Sequence, residues 1–110
     1  MVDWKVRWRP AAEQDLQHCA IHIAADNVEA ALGLVDTAEA EAERLADHPF
    51  AHEEVAVSRS ELKGIRRLVL SPPYQSYLLF YRADASVQVV DIIRALHGAR
   101  DLPRSILSGD

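Results

Sequence analysis

Apolar and charged residues alternate without a break from Val2 to Trp8, at the start of the chain. Alternation with a period of two puts successive side chains on opposite faces, so it predicts a β-strand over residues 1–9 with one buried face. Pro10 ends this strand and suits the first turn of a helix, because proline lacks the N–H group that would be left without a partner there. Apolar residues then recur at spacings of three and four, which predicts an amphipathic helix over residues 11–25. The recurring positions are Leu16, Cys19, Ala20 and Ile23.

A second apolar stripe predicts a helix from Glu29 to Asp47. This helix is expected to end before His48, because a residue that precedes proline is pushed away from the helical conformation. Only a few residues separate the two helices, so residues 11–47 are predicted to form an antiparallel helical hairpin. The stripe consists of Ala31, Leu34, Val35, Ala38, Ala42 and Leu45.

Three strand-like runs follow in the second half of the chain, at residues 65–70, 74–82 and 87–96. Short polar turns separate them, so residues 64–97 are predicted to form an antiparallel meander. The last run is the most uniformly apolar and β-branched. Such a composition is typical of a strand that is buried on both faces at the centre of a sheet.

The order of elements, β-α-α-β-β-β, predicts a single α+β domain over residues 1–110. In this domain the helical hairpin packs on one face of a four-stranded, mainly antiparallel sheet, and the opposite face is expected to be open and polar. Residues 48–63 are predicted to be a loop with a short strand at 54–57, and residues 98–110 a C-terminal tail.

Composition fits one soluble domain, since 49% of the 110 residues are hydrophobic and 26% are charged. No stretch approaches the ~18 to 20 apolar residues of a membrane span, and none resembles the core of a signal peptide, so a cytoplasmic protein is expected. The single cysteine, Cys19, excludes an internal disulfide and fits a reducing compartment. Its position on the apolar stripe predicts a small core residue rather than a reactive thiol.

The net charge of −5 averages over two unlike halves. Residues 1–55 hold twelve acids and four bases, whereas residues 56–110 hold five acids and eight bases, giving −8 and +3. An anionic partner is therefore expected to meet the second half, and the acids of the second helix are predicted to form a solvated face. An acidic domain of this kind is not expected to bind DNA directly.

No metal or cofactor site is predicted. Two histidine pairs have a spacing of four, but neither carries the glutamate of the zinc-protease motif HExxH. The four glycines are not spaced for a phosphate loop, and no serine lies in a GxSxG motif, which argues against nucleotide binding and a serine hydrolase. The pairs are His18 with His22 and His48 with His52.

A basic and aromatic set remains in the second half, where neighbouring strands could bring it onto one face. Arginine and histidine can cleave RNA without a metal, since attack by the 2′-hydroxyl needs a base, an acid and cations that stabilise the phosphorane. Alternatively, the tyrosines pack in the core and the arginines are surface or partner-binding residues. The set comprises Arg59, Lys63, Arg66, Arg67, Tyr74, Tyr77, Tyr81, Arg82, Arg94, His97, Arg100 and Arg104.

The order of elements, together with several short segments, resembles the RelE/ParE toxin superfamily of bacterial toxin–antitoxin systems. The resemblance covers nearly the whole chain. It is most similar to the ParE branch, because YLLFYR is followed by IIRALHGARD near the C-terminus. The segments that carry it are VRWRPAAEQDL, LADHP, GIRRL, YLLFYR and VVDIIRALHGARD.

The resemblance implies a small toxin that is held inactive by a cognate antitoxin, whose extended C-terminal segment wraps around it. In the ParE branch the target is DNA gyrase, and the toxin is not understood as an enzyme. In the RelE branch ribosome-bound messenger RNA is cleaved, and a catalytic set of His97, Arg66, Arg67 and Tyr81 is then implied. A third alternative is a member that only binds a partner. The residues implied to bind the target are Arg66, Arg67, Arg94, His97 and Arg100.

Two features favour the ParE branch. The segment after His97, GARDLPRSILSGD, contains no tyrosine, lysine or second histidine, whereas RelE-like nucleases place a tyrosine or a histidine–tyrosine pair close to the C-terminus. A net charge of −5 also suits docking on ribosomal RNA poorly, because phosphate neutralisation supplies most of such affinity.

Overall fold

A computed structural model describes residues 3–55 and 63–98 of the chain. Its elements follow the order β-α-α-β-β-β, which confirms the fold class expected from the sequence. Two helices lie between a first strand and a group of three strands. The elements are β1 (Lys5–Trp8), α1 (Pro10–Ala24), α2 (Val28–Arg44), β2 (Ile65–Val69), β3 (Tyr77–Asp84) and β4 (Val89–His97).

The four strands form one sheet with the order β1-β4-β3-β2. β2, β3 and β4 pair in antiparallel fashion, as the predicted meander requires, while β1 joins the other side of β4 in parallel. Parallel neighbours need a long connection, and here both helices, β2 and β3 lie between β1 and β4 along the chain. The prediction that the last strand lies at the centre is confirmed.

The element ends differ from the predicted ones where turns compete with the regular structure. α2 ends at Arg44 rather than at Asp47, and the chain continues through tight turns that still bury Leu45. β3 starts at Tyr77 rather than at residue 74, because residues 71–77 form consecutive turns after β2. Of the short strand expected at 54–57, Glu54 forms one bridge to Arg66, and residues 56 and 57 lie outside the described residues.

Local signals explain how the hairpin begins and turns. Pro10 occupies the first helical position of α1, as the sequence predicts. The side chain of Asn27 caps α2 by accepting a hydrogen bond of 3.0 Å from the N–H of Ala30.

Gly33 lets the Tyr74 ring lie against α2, because a Cβ at this position would overlap the Tyr74 hydroxyl. That hydroxyl donates to the carbonyl of Ala30 at 2.9 Å.

Apolar side chains are buried on both faces of the sheet. The larger cluster joins the two helices to one face, and a second cluster lies on the opposite face. The expectation of an open polar face is therefore wrong for part of the sheet, since Val55 and Leu96 pack against the second cluster. No helix that the structure describes is long and apolar enough to cross a membrane. The second cluster consists of Ile65, Leu78, Phe80 and Ile93.

Candidate functional site

The two adjacent arginines of β2 point to opposite faces of the sheet. Arg66 is paired in register with Tyr81, which belongs to the cluster under the helices, and Arg67 is paired with Phe80, which belongs to the cluster on the outer face. The alternation of a β-strand requires this separation. The structure therefore does not bring Arg66 and Arg67 together around one ligand.

Arg66 holds the segment before β2 in place. Its guanidinium donates to the carbonyl of His52 at 2.6 Å and to that of Phe50 at 3.2 Å. It also forms an ion pair with Glu54 at 3.6 Å and lies 5.3 Å from the centre of the Phe50 ring. These contacts engage the N–H donors of the guanidinium. Arg66 therefore holds residues 50–54 in place and is not available as a free charge at the surface.

Tyr81 lies beneath these contacts and is fully buried. This agrees with the alternative in which the tyrosines pack in the core. Its ring meets that of His52 edge to face, with 6.2 Å between the centroids. Burial raises the pKa of Tyr81, and the charge of Arg66 and the His52 backbone oppose that shift. A neutral phenol with no exposed surface is poorly placed to exchange a proton with a bound substrate.

Arg94 is bound to Asp15 of α1 through two parallel contacts. Its Nε and a terminal nitrogen donate to the carboxylate at 2.6 and 2.8 Å, and the side chains of the pair are only 15% and 13% exposed. The hydrogen bonds to Asp15 raise the pKa of Arg94, with desolvation opposing them. Bidentate geometry of this kind fixes orientation as well as charge.

Asp15 also completes the central strand, a role that sequence reasoning missed. β1 pairs with β4 only as far as Ile92, so no strand among the described residues lies beside that edge of β4 beyond this point. The carboxylate of Asp15 accepts the N–H of Ala95 at 3.0 Å and thereby satisfies a donor that would otherwise lose its partner. The sequence signal was an acid on an amphipathic helix, which looks like an ordinary solvated residue.

His97 lies at the far end of β4, in an open cleft of about 430 Å³. Its ring stacks edge to face on Tyr77, its register partner in β3, with 4.9 Å between the centroids. Residues of α1 form the opposite wall. The lining residues are His18, Cys19, His22, Tyr77 and His97.

The cysteine and the tyrosine that line this cleft both have a raised pKa. Burial raises the pKa of Cys19, and the nearby charge of Asp15 raises it further. Burial also raises the pKa of Tyr77. Within residues 3–55 and 63–98, neither an arginine nor a lysine lines the cleft, and no group of histidine, cysteine or acidic residues could hold a metal ion.

The cleft and the Arg66–Tyr81 arrangement are separate places. Tyr77 and Tyr81 are four residues apart along β3, about 13 Å at the rise of a strand. β4 and β2 lie on opposite sides of β3, which adds roughly 10 Å of lateral separation between His97 and Arg66. The structure therefore does not gather His97, Arg66 and Tyr81 at one reacting phosphate.

A further charged group, also missed from the sequence, lies on the outer face. Asp91 of β4 is 8% exposed and accepts hydrogen bonds from Arg9 at 2.8 Å and from Arg7 at 3.4 Å. Arg82 of β3 is its register partner on the other side. This face is therefore basic, and Arg67 adds a guanidinium that contacts no acid within the described part of the chain. Arg100 lies outside the described residues.

Comparison with known proteins places this fold among bacterial toxins. Residues 6–102 match the family model described as the ParE toxin of the type II toxin–antitoxin system parDE. No protein of curated function matches the sequence.

Two solved structures share the fold at low sequence identity. One is the chromosomal ParDE toxin–antitoxin system of P. aeruginosa, with a TM-score of 0.69 and 19% identity over 87% of this chain and 97% of that one. The other is the RelBE2 toxin–antitoxin complex of Mycobacterium tuberculosis, with a TM-score of 0.53 and 24% identity over 87% of this chain and 99% of that one.

Proposed function

This chain belongs to the ParE toxin family of type II toxin–antitoxin systems, and from that membership we propose that it inhibits DNA gyrase in the cytoplasm. The observation that carries the proposal is the family match, which runs from Val6 in β1 to residue 102. Both similar structures come from toxin–antitoxin systems, which supports a cognate antitoxin as the second partner.

Two of the residues expected at the target interface have side chains in a position to meet a protein partner. His97 is exposed at the end of β4, and Arg67 lies on the basic outer face. Arg66 and Arg94 are instead tied to neighbouring segments of the chain, so their proposed contribution is to hold residues 50–54 and α1 in place. Arg100 remains a predicted contact.

One observation favours a second candidate, a ribosome-dependent endoribonuclease. His97 does pack against a tyrosine, which comes from β3 rather than from the C-terminal segment. A histidine and a tyrosine side by side could act as acid, base or stacking platform. The cleft lacks the arginine or lysine that phosphorane stabilisation requires, judged on its described lining residues, and we therefore favour the gyrase proposal.

Inducible expression in bacteria tests the two candidates in one experiment. We expect growth arrest, filamentous cells and DNA-damage signalling, with cellular messages left intact. Normal growth at confirmed soluble expression would contradict the proposal, and translation-dependent cleavage of messages that disappears in His97→Ala would assign the chain to the ribonuclease candidate.

A further inference from the structure

The helical hairpin presents large apolar side chains to solvent on its outer side. Val28 and Leu32 of α2 are each 61% exposed, and Ile21 of α1 is 68% exposed. All three lie near the turn that joins the helices, since Ile21 is four residues before the linker 25–27, Val28 follows it directly and Leu32 is five residues after it. An exposed apolar patch on a small domain often marks an interaction site.

The patch continues into a groove between the helices. Val28, Leu32, Val35 and Glu39 follow one another at spacings of four, three and four residues, which puts them on one stripe of α2. Val35 and Glu39 line a groove of about 180 Å³, whose other wall is formed by α1 and the end of β1. We call this surface the hairpin seam. It comprises Glu13, Leu16, Gln17 and Ile21 of α1 and Val28, Leu32, Val35 and Glu39 of α2.

The surroundings of the seam are strongly acidic. Residues 10–44 contain eight aspartates and glutamates but a single arginine and no lysine. Asp15 is neutralised by Arg94, and Glu41 is buried against the N–H of Ser71. Glu13 and Glu39 belong to the seam itself and are exposed, so an approaching partner meets apolar side chains flanked by carboxylates.

We propose that the hairpin seam binds a cationic amphipathic helix of a partner protein. The apolar stripe of that helix packs on Ile21, Val28 and Leu32, and its flanking lysines and arginines meet Glu13 and Glu39. The inference rests on the proposed function, since the partner is the antitoxin, and it specifies that the seam-binding segment of the antitoxin is basic. From Val28 to Glu39 the seam is about 17 Å long, which matches roughly three turns of a helix.

The same charges disfavour the other occupants of such a surface. A second copy of the chain would bring two acidic seams face to face, and like charges across an interface oppose association. A nucleic acid would meet carboxylates where its phosphates need cations. A helix with lysines beside its apolar stripe satisfies both the apolar and the acidic part of the seam.

Two peptides that differ only in charge test the inference on the full-length protein. Each is roughly 18 residues long, or five helical turns, with the same leucine stripe, and carries either lysine or glutamate at the flanking positions. We expect the lysine peptide to bind in fluorescence anisotropy, and at least tenfold more tightly than the glutamate peptide. Raising the salt concentration from about 0.05 M to about 0.5 M should weaken binding of the lysine peptide, because salt screens the attraction between its lysines and the carboxylates of the seam.

Substitutions on the seam must remove this binding while matched ones elsewhere do not. Leu32→Ser and Ile21→Ser are expected to lower the affinity for the lysine peptide by roughly tenfold or more, because each removes an apolar side chain on which the peptide packs. Val87→Ser, at a residue 64% exposed in the turn between β3 and β4, serves as the apolar control. Glu39→Gln should reduce the salt dependence, whereas Glu53→Gln should not.

Equal binding of the two peptides, no binding, or unchanged binding by the seam variants would overturn the inference. Self-association of the chain that disappears in Leu32→Ser would assign the seam to a second copy and would also overturn it. Growth arrest is measured with the same variants in the absence of antitoxin. Failed peptide binding with intact toxicity refutes the seam alone, whereas a wild-type chain that binds the lysine peptide without toxicity refutes the gyrase proposal alone.

Discussion

Replacing Asp15 with alanine removes the carboxylate that joins α1 to the end of the central strand. It leaves the guanidinium of Arg94, which lies 2.6 and 2.8 Å from that carboxylate, without this partner, and it strips the N–H of Ala95 of its acceptor at 3.0 Å. Breaking a buried ion pair from one side costs roughly 3–5 kcal/mol. Since Arg94 lies close enough to the surface to regain some hydration, we expect about 3 kcal/mol. At roughly 4 °C per kcal/mol for a domain of this size, the melting temperature should fall by about 12 °C.

Urea unfolding followed by circular dichroism measures this loss, and an unchanged m-value would show that the denatured state is not the cause. Asp15→Asn keeps an acceptor for Ala95 but loses the charge, so its effect should be smaller, roughly 1–2 kcal/mol. Glu43→Ala, at an exposed acid of α2, should stay within about 0.5 kcal/mol and serves as the control. An Asp15→Ala effect as small as this control would show that the carboxylate does not stabilise the end of β4.

Three further substitutions test other parts of the structure. Gly33→Ala should destabilise the chain by roughly 1–2 kcal/mol despite the better helix propensity of alanine, because its methyl group meets the Tyr74 hydroxyl; the loss should largely disappear in a Tyr74→Phe background. Burial raises the pKa of Cys19, so the folded state keeps a proton that the unfolded chain releases. The contribution of Cys19 to stability is therefore fully present below the ordinary thiol pKa and is lost as the pH rises above it. In urea titrations at rising pH, Cys19→Ala should lose less stability than the wild type over that range. Arg66→Ala should speed hydrogen exchange at residues 50–54 and cost about 1–2 kcal/mol, whereas Arg67→Ala should stay within about 0.5 kcal/mol.

The sequence predicted the elements that depend on local periodicity. The alternation from Val2 to Trp8, the two helical stripes and the apolar run that became β4 each specify one type of structure, and Pro10 marks where α1 begins. The central place of β4 also followed from its own composition, since a strand covered on both faces has few polar positions.

The arrangement of the charged residues could not be predicted in the same way. Asp15 and Arg94 are 79 residues apart, and only the tertiary fold brings an acid of α1 to the end of β4. Strand alternation alone predicts that Arg66 and Arg67 lie on opposite faces of the sheet. It does not predict that Arg66 donates hydrogen bonds to the carbonyls of residues 50 and 52. Likewise, the tyrosine beside His97 comes from the strand pairing of β3 with β4.

A DNA supercoiling assay with purified gyrase, relaxed plasmid, ATP and increasing amounts of the chain tests whether the protein inhibits gyrase. We expect loss of supercoiling and accumulation of cleaved plasmid, both weakened in Arg67→Ala and His97→Ala and both unaffected by Val87→Ser. Full supercoiling at a large molar excess of folded protein that is free of antitoxin would show that gyrase is not the target.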